Sequence, residues 1–387
     1  MPDIIPAPVH DADVFGGNPR EGIALCLSGG GYRAMVFHIG SILRLNDLGI
    51  LGKLDRISSV SGGSITAGVL GMNWGQLGLS KTTPKADPVK LKQFLVEPLR
   101  KMASTTIDEG AIFGGIFLPG TISDHVADKY ASLLFGKSTL QDLPDDTAGP
   151  RFVINATNVQ SGVLMRFSKP YMRDYRVGQV LHPQLPLARA VAASSAFPPI
   201  LSPCEIDVKK YGLKFEPPAE DEDLNTSPYN EHLVLSDGGV YDNLGLETAW
   251  KEYKTLLVSD AGGHFKPEPD PKHDWARHAY RVLDLVDSQV RALRTRDLII
   301  LFQQHVRSGT YWSIRQDLAR IGQSSIPAPS AHTTELADIA TRLQKLDDKL
   351  QERLINWGYV ACSAALRKNY SAIADVAEIL PYPGSGI

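Results

Sequence analysis

The sequence is poor in the features that define several other protein classes. Its 387 residues include three cysteines, Cys26, Cys204 and Cys362, whose spacing fits neither a disulfide framework nor a zinc site. With 40 basic and 43 acidic residues the formal net charge is −3, which provides no basic surface for nucleic acid. We therefore expect a protein of a reducing, cytoplasmic compartment, without a metal centre and without nucleic acid as a partner.

Long hydrophobic runs are also missing. The N-terminus has no basic region followed by an apolar core, which is the pattern of a signal peptide. Residues 57–80 carry no charge, but their glycines and serines, with Asn73 and Gln76, make the segment too polar for a lipid-exposed helix. We expect a tight turn there, followed by a helix that is buried on several faces.

The first informative motif is a glycine loop near the N-terminus. A short apolar run at 23–27 ends in Ser28-Gly29-Gly30-Gly31, and a segment with helical apolar spacing follows. Because glycine lacks a Cβ and allows positive φ, several backbone N–H groups can point into one concavity at the helix N-terminus. Such a concavity binds negative charge, either the phosphate of a nucleotide or the oxyanion of a transition state.

The nucleotide alternative has a formal fingerprint, Gly29-x-Gly31-x-x-Ala34. A dinucleotide site also needs an acidic residue at the end of the next strand, roughly 20 residues further on. Asp55 lies at about that separation, but it precedes the next apolar run, at 57–60, instead of ending it. The sequence favours the oxyanion interpretation and leaves a nucleotide-binding enzyme as the alternative.

Two further strand ends carry reactive side chains. The run at 57–60 ends in Ser61-Gly62-Gly63 before a helical segment, which is the pattern of a nucleophile elbow. A later run, at 233–236, ends in Asp237-Gly238-Gly239, which is either a plain turn or a carboxylate placed at the edge of the sheet. Asp260, before Ala261-Gly262-Gly263, is a rival carboxylate of the same kind.

Together these motifs resemble the patatin-like phospholipases, and residues 28–35 are similar to the cytosolic phospholipase A relatives of that family. The resemblance implies a Ser-Asp dyad, with Ser61 as nucleophile and Asp237 as base. Asp260 lacks the uninterrupted Asp-Gly-Gly of the family. Residues 192–199 resemble a further block of the family.

The resemblance also implies an oxyanion hole and two tight turns. The hole is expected at Gly29, Gly30, Gly31 and Arg33, the elbow includes Ser59, Gly62 and Gly63, and the acid turn includes Gly238 and Gly239. Ser59 stands where the pattern Gly-x-Ser-x-Gly has its first glycine; because serine is small, the turn should survive. His38, in the helix after the glycine loop, is expected to be a hydrogen-bonded structural residue.

The expected fold is α/β: a three-layer patatin-like sandwich with a mainly parallel central sheet, helices on both faces and a helical C-terminal extension. We expect an N-terminal lead-in at 1–20 and a hydrolytic domain at 21–315. Within that domain, residues 72–150 are expected to form an insertion over the site. Residues 316–387 are expected to form a linker and a helical region.

The resemblance implies a serine acyl hydrolase that cleaves fatty-acyl esters of phospholipids or lysophospholipids and requires no metal or organic cofactor. Its partners would be acyl-lipid substrate and, peripherally, a membrane. The apolar stretch 110–120 either touches a bilayer or packs as a plug on the core. The remaining alternative is a catalytically silent protein of the same fold that binds lipid or a partner.

Two helices are predicted towards the C-terminus. Apolar residues from Val282 to Leu293 mark a long helix, whose interspersed arginines and aspartates are expected to form a solvated face. Apolar residues from Leu336 to Leu350 recur at helical spacing and predict an amphipathic helix. That helix must bury its stripe either on its own domain or against a second copy of the chain.

Overall fold

The structure is a computed structural model that describes residues 19–107, 121–217, 224–322, 324–370 and 376–387. The apolar stretch 110–120, expected over the site, lies outside the described residues.

A single ten-stranded sheet organises the chain. Its strands are β1 (Arg20–Leu27), β2 (Arg56–Val60), β3 (Arg151–Asn158), β4 (Val163–Phe167), β5 (Tyr171–Asp174), β6 (Gly178–Leu181), β7 (Cys204–Asp207), β8 (His232–Asp237), β9 (Tyr253–Asp260) and β10 (Ser308–Ser313). The order β10-β9-β1-β2-β3 is parallel throughout, and β4 to β8 are antiparallel. The expected mainly parallel α/β sheet is confirmed.

The helices and shorter turns cover both faces of this sheet. The helices are α1 (Gly31–Asp47), α2 (Gly62–Met72), α3 (Trp74–Leu77), α4 (Pro88–Leu91), α5 (Glu97–Ala103), α6 (Ile122–Tyr130), α7 (Leu187–Ser194), α8 (Gly239–Asp242), α9 (Glu247–Trp250), α10 (Trp275–Gln303), α11 (Leu318–Ile321), α12 (Ser330–Ala337) and α13 (Asp348–Asn369). Single π-helical turns occupy Lys92–Val96 and Ala131–Phe135, and 3₁₀ turns occupy Leu51–Lys53 and Leu140–Asp142.

Strand β1 shows why the fold has three layers. Its side chains alternate between faces, so Leu25 and Leu27 join the large core under α1, α2, α7 and α13. Ala24 and Cys26 join a smaller cluster under α9 and α10. A strand that is apolar at consecutive positions must be covered on both sides. The three-layer sandwich predicted from the sequence is confirmed, and Cys26 is the buried small residue expected.

The C-terminal helix packs tightly on the first helix. A Cβ on Gly358 would stand 1.9 Å from the carbonyl oxygen of Phe37, and a Cβ on Gly40 would stand 1.9 Å from that of Ile355. The two glycines therefore allow α1 and α13 to approach at backbone distance. The apolar face of α13 is buried by its own chain and offers no stripe to a second copy.

The predicted amphipathic helix from Leu336 to Leu350 is wrong in its extent. Helix α12 ends at Ala337 and α13 begins at Asp348, so residues 338–347 form an irregular connection. Leu343 and Leu346 are nevertheless buried in the main core. The apolar spacing here reflects which side chains are buried and not a helical conformation, because an irregular segment can also place every third or fourth side chain in the core.

The long helix predicted around Val282 exists as α10, but its faces are reversed. Arg291 and Arg294, expected to be solvated, point inward and pair with Asp260 and Glu247 at 2.6 and 3.3 Å. Most of its large apolar side chains face outward. The expectation of a solvated arginine face is therefore wrong for these two residues, because buried carboxylates on the body of the protein provide partners for them.

The position of β8 determines the geometry of the site. It pairs antiparallel with the far end of β3, with Asp237 opposite Ala156. Strand β2 pairs with the near part of β3 and ends with Val60 opposite Asn155. Because both strands lie along the same edge of β3, the end of β2 meets the end of β8 head to head. The residues that follow, Ser61 and Gly238, thus lie side by side.

Candidate active site

Ser61 occupies a strained turn between β2 and α2. Its backbone has φ 52° and ψ −122°, a left-handed φ that is uncommon for a residue with a side chain. Its N–H donates to Oγ of Ser194 at 2.9 Å, and that hydroxyl donates to the carbonyl of Asn155 at 2.6 Å. The chain is thus held in the geometry that lifts a serine hydroxyl clear of the sheet in a nucleophile elbow.

The residues around Ser61 must be small. A Cβ on Gly62 would lie 2.2 Å from the carbonyl oxygen of Gly31, and one on Gly63 would lie 2.5 Å from that of Leu27. Ser59 fits in place of glycine because its side chain is buried and bonded: its hydroxyl accepts from Ser64 at 3.0 Å and donates to the carbonyl of Val153 at 3.4 Å. The turn is formed with serine at this position.

Asp237 is the buried carboxylate beside this turn. Its Oδ1 accepts from the N–H of Gly239 at 2.7 Å, while Oδ2 has no hydrogen-bond partner among the described residues. Burial raises the pKa of Asp237 to about 7, against the lowering effect of the Gly239 N–H and the Ser61 hydroxyl. The Ser61 hydroxyl is thus close enough to affect the pKa without forming a hydrogen bond of normal geometry. Long contacts of this kind are common in unliganded active sites.

Asp260, the rival carboxylate, is fully engaged. It accepts from Nη1 of Arg291 at 2.6 Å, the hydroxyl of Tyr311 at 2.7 Å and the N–H of Gly262 at 2.9 Å. Burial would raise the pKa of Asp260, but the Arg291 charge and these hydrogen bonds hold it below its ordinary value. A carboxylate stabilised in this way is a poor proton acceptor at neutral pH.

The glycine loop lies against the serine turn. A Cβ on Gly29 would stand 3.1 Å from Cβ of Ser61 and 3.7 Å from its hydroxyl oxygen. The N–H of Gly29 donates to Asn243, and the N–H of Tyr32 donates to Arg342 at 3.0 Å. In the part of the chain that the structure describes, the N–H groups of Gly30 and Gly31 have no acceptor. These two amides, at the start of α1, are the ones left for an anion.

Arg33 fixes the loop through its side chain. The guanidinium donates to the carbonyl of Ala261 at 3.1 and 3.0 Å, to Thr341 at 3.0 Å and to the carbonyl of Ile339. Burial, with the charges of Arg291 and Arg315, lowers the pKa of Arg33 to about 10, so the group remains charged at neutral pH. These bonds tie the glycine loop to the end of β9 and to the segment before α13.

His38 lies behind the loop and holds it from the other side. Its Nε2 lies 3.0 Å from the carbonyl of Ser28, and its Nδ1 lies 2.8 Å from the hydroxyl of Ser259. Complete burial lowers the pKa of His38 to about 4, so the imidazole is neutral near pH 7. Its position is the hydrogen-bonded structural one that the sequence predicted.

Two residues beside the site have contacts that the sequence did not predict, although one of them, Ser194, lies in the block 192–199 that resembles the family. Ser194 bonds the backbone of Ser61, and Tyr130 brings a buried hydroxyl with no hydrogen-bond partner among the described residues. Burial raises the pKa of Tyr130, the nearby hydroxyl of Ser195 lowers it, and the charge of Asp237 raises it. A tyrosine that ends a helix so far from the motifs has no local signature. The π-helical turn after it, a feature frequent at functional sites, is visible only in the structure.

Asp55 lies at the amino-terminal end of the parallel strands, whereas the glycine loop lies at their carboxyl end. It precedes β2 and accepts from the N–H of Ile23 at 2.8 Å. It is therefore not placed as a ribose ligand, which belongs at the carboxyl end of the strand. Within the described ranges, no three His, Cys, Asp or Glu side chains are grouped as metal ligands, and no helix is long and apolar enough to cross a bilayer.

Comparison with known proteins places these features in a family. The family model described as "Patatin-like phospholipase" matches residues 25–250, which include all three motifs. No curated protein matches the chain. Among solved structures, human GIVD cytosolic phospholipase A2 is 13% identical with a TM-score of 0.47, covering 92% of this chain and 59% of its own. VipD from Legionella pneumophila is 15% identical with a TM-score of 0.34, covering 89% of this chain and 66% of its own. This chain thus spans less than two thirds of either protein.

Proposed function

The chain belongs to the patatin-like phospholipase family, and we propose that it hydrolyses fatty-acyl ester bonds of phospholipids or lysophospholipids through Ser61 and Asp237. The observation that carries the proposal is a buried carboxylate with one unpartnered oxygen next to a strained serine. A carboxylate that is bonded on all sides, such as Asp260, has no such capacity.

In the first half of the proposed reaction, Asp237 acts as the general base. Oδ2 accepts the proton of the Ser61 hydroxyl while Oγ attacks the ester carbonyl, and no histidine intervenes. A base is most effective when its pKa lies near the working pH, and burial raises the pKa of Asp237 to about 7. The proton then passes to the leaving alkoxide, so a lysolipid or glycerol compound departs and an acyl-Ser61 ester remains.

The amides of Gly30 and Gly31 receive the oxyanion that forms during attack. They are the loop amides that internal acceptors leave available, and α1 begins at Gly31. One such donor typically contributes about 3 to 4 kcal/mol to lowering the barrier. Gly29 and Arg33 support the hole by fixing the loop, since their polar groups are bonded to Asn243 and to the end of β9.

In the second half, water hydrolyses the acyl-enzyme. Asp237 again accepts a proton, this time from the attacking water. It passes that proton to Oγ of Ser61 as the bond between Oγ and the acyl carbon breaks and the fatty acid departs. The buried Tyr130 hydroxyl lies near enough to this carboxylate for the charge of Asp237 to raise its pKa. The proposal includes acyl lipid as substrate, peripheral contact with the lipid surface that holds it, and a cytoplasmic place of action.

The proposal is tested by product analysis and active-site labelling. The purified chain is incubated with mixed phospholipids and lysophospholipids, and released fatty acids and lysolipids are identified by mass spectrometry. We expect both products, together with a single fluorophosphonate adduct at Ser61.

Two controls accompany this test. Ser61→Ala should abolish both signals, whereas Ser132→Ala, at a surface serine on the π-helical turn, should leave both unchanged. A folded protein that stays unlabelled above about pH 7, where the base is ionised, and releases no fatty acid would favour the silent lipid-binding alternative.

A further inference from the structure

Helix α10 is amphipathic in the reverse sense. In the described part of the chain, sixteen large apolar side chains are exposed, and eight of them lie on this one helix. They are Trp275, Tyr280, Val282, Leu285, Val286, Leu293, Ile299 and Ile300. Of the 29 residues of α10, all of which the structure describes, Leu298 alone is buried. An ordinary surface helix would place this apolar set against the core.

The inner face of α10 is held by polar contacts. Arg291 pairs with Asp260, and Arg294 pairs with Glu247 and donates to the carbonyl of Tyr241 at 3.0 Å. Asn243 donates to the carboxylate of Asp287 at 3.1 Å. The charged side chains therefore anchor the helix to the elements around the site, which leaves its apolar side chains facing solvent.

Four of the outward apolar residues form one continuous stripe. Steps of seven, four and seven residues connect Trp275, Val282, Val286 and Leu293 along one side of the helix. At about 1.5 Å per residue this stripe is ~27 Å long. A contiguous apolar surface of this kind on a folded chain marks a site of association.

The stripe is adjacent to the proposed catalytic centre. The inner face of α10 touches Asp260 and Asn243, and the carbonyl of Asn243 accepts from the N–H of Gly29 in the glycine loop. A surface bound to the outer face would lie roughly one helix diameter, about 10 Å, from that loop.

We propose that the outer face of α10 lies on a lipid bilayer surface and inserts its apolar stripe between the headgroups. This inference rests on the proposed acyl-lipid substrate. The exposed charged side chains of α10 carry both signs, Arg277 and Arg296 against Asp297, and His278 is exposed as well, while Asp284 and Asp287 are partly buried. The stripe is therefore expected to bind through its apolar side chains rather than through charge.

The composition of the stripe also fits a bilayer. Trp275, the most exposed large apolar residue at 85%, has an amphipathic ring suited to the headgroup region. An amphipathic helix lying in the plane of the interface needs no complementary groove on a partner.

The test is vesicle binding by the full chain carrying Ser61→Ala, so that lipid is not consumed. Co-sedimentation is measured with phosphatidylcholine vesicles with and without phosphatidylserine. We expect binding to both kinds of vesicle. On this background Val286→Glu and Leu293→Glu should each lower the partition coefficient by about tenfold or more, because each replaces an apolar side chain that would be buried in the bilayer by a charged one. Val89→Glu, at a still more exposed valine on α4, is the matched control and should bind unchanged.

Two results would overturn the inference. One is vesicle binding by Val286→Glu and Leu293→Glu equal to that of the Val89→Glu control. The other is a concentration-dependent dimer in sedimentation velocity that both substitutions abolish, which would assign the stripe to a second copy of the chain.

A soluble short-chain ester separates this inference from the proposed function. If the wild-type protein hydrolyses that ester but neither stripe variant lowers vesicle binding, the proposed membrane-binding face is wrong and the proposed Ser61–Asp237 dyad stands. If the stripe variants lose vesicle binding but no ester is cleaved, the surface stands and the hydrolase proposal fails.

Discussion

The ends of β8 and β9 carry almost the same sequence and have opposite electrostatics. Asp237 precedes two glycines, and Asp260 precedes an alanine and two glycines. Each side chain accepts from a backbone N–H two residues later, Gly239 and Gly262 respectively. Yet the pKa of Asp237 is raised to about 7, whereas that of Asp260 is held below its ordinary value.

The difference comes from residues that are distant in the sequence. Arg291 on α10 and Tyr311 on β10 both bond Asp260, so its charge is neutralised and its oxygens are satisfied. Oδ2 of Asp237 has no hydrogen-bond partner among the described residues, and the Ser61 hydroxyl lies close enough to lower the pKa of this carboxyl. The comparison shows that burial alone does not make a catalytic base; burial without a cationic partner does.

The largest expected effect is on catalysis. Asp237→Asn should lower ester turnover roughly 10²- to 10⁴-fold, since the amide cannot accept the serine proton. Asp260→Asn in the same assay should retain most of the activity of whatever fraction is folded. Initial rates on a soluble ester, normalised to folded protein by circular dichroism, measure both. Near-normal turnover by Asp237→Asn would mean that another group is the base, and that the raised pKa of Asp237 has no catalytic role.

A second prediction concerns the free energy of unfolding. Arg291→Met should destabilise the protein by about 3 to 5 kcal/mol, because it leaves the buried Asp260 carboxylate without its cationic partner. Asp260→Leu should cost less, because Arg291 is only partly buried and keeps Asp287 at 3.7 Å. The double variant should recover much of that loss, since two apolar side chains can replace a buried ion pair at little cost. Urea denaturation of the four proteins gives the coupling energy. Additive losses would show that the pair does not determine the state of Asp260.

A third prediction uses the pH dependence of stability at the first aspartate. The folded pKa of Asp237, about 7, is above the unfolded value, so the wild-type chain loses stability as pH rises from about 4 to about 7. Asp237→Asn has no charge to bury and should be more stable than wild type above pH ~7, by up to about 4 kcal/mol. The advantage should vanish near pH ~4.

Asp260 supplies the matched control with the opposite sign. Its folded pKa is lowered, so its contribution to stability is present above the unfolded pKa and is lost only as pH falls through the folded value. The stability difference between wild type and Asp260→Asn should therefore change only below about pH 4. Parallel pH profiles for the two variants would contradict the assignment.

The smallest expected effect is on the pH–rate profile. Since Asp237 must be ionised to act, kcat/KM on a soluble ester should fall about tenfold per pH unit below an apparent pKa of about 7. Arg291→Met should move this apparent pKa upward, because Arg291 lowers the pKa of Asp237. An unchanged profile would mean that α10 has no electrostatic influence on the site.

Local patterns predicted the parts of the site that depend on neighbouring residues in the chain. Glycine loop, serine turn and acid turn each require small residues at fixed positions, since a Cβ at Gly62 would clash with backbone. Tyr130 and the contact of Ser194 with Ser61 went unpredicted because these contacts cross more than 50 residues of sequence and leave no periodic trace, although the block 192–199 around Ser194 resembles the family. The segment 338–347 was wrongly predicted as helix because burial imitates helical spacing.

By itself the amino-acid sequence determined the strand-to-helix turns, the sandwich with two covered faces and the choice of three reactive segments. These follow from steric freedom at glycine and from apolar periodicity, which act over a few residues. The tertiary structure alone decided which aspartate is left unpaired, which glycine amides remain available and which way α10 faces. The first and third outcomes depend on Arg291 reaching Asp260 across the fold, and the second on Asn243 and Arg342 reaching the loop, because charge, desolvation and hydrogen bonds act through space and not along the chain.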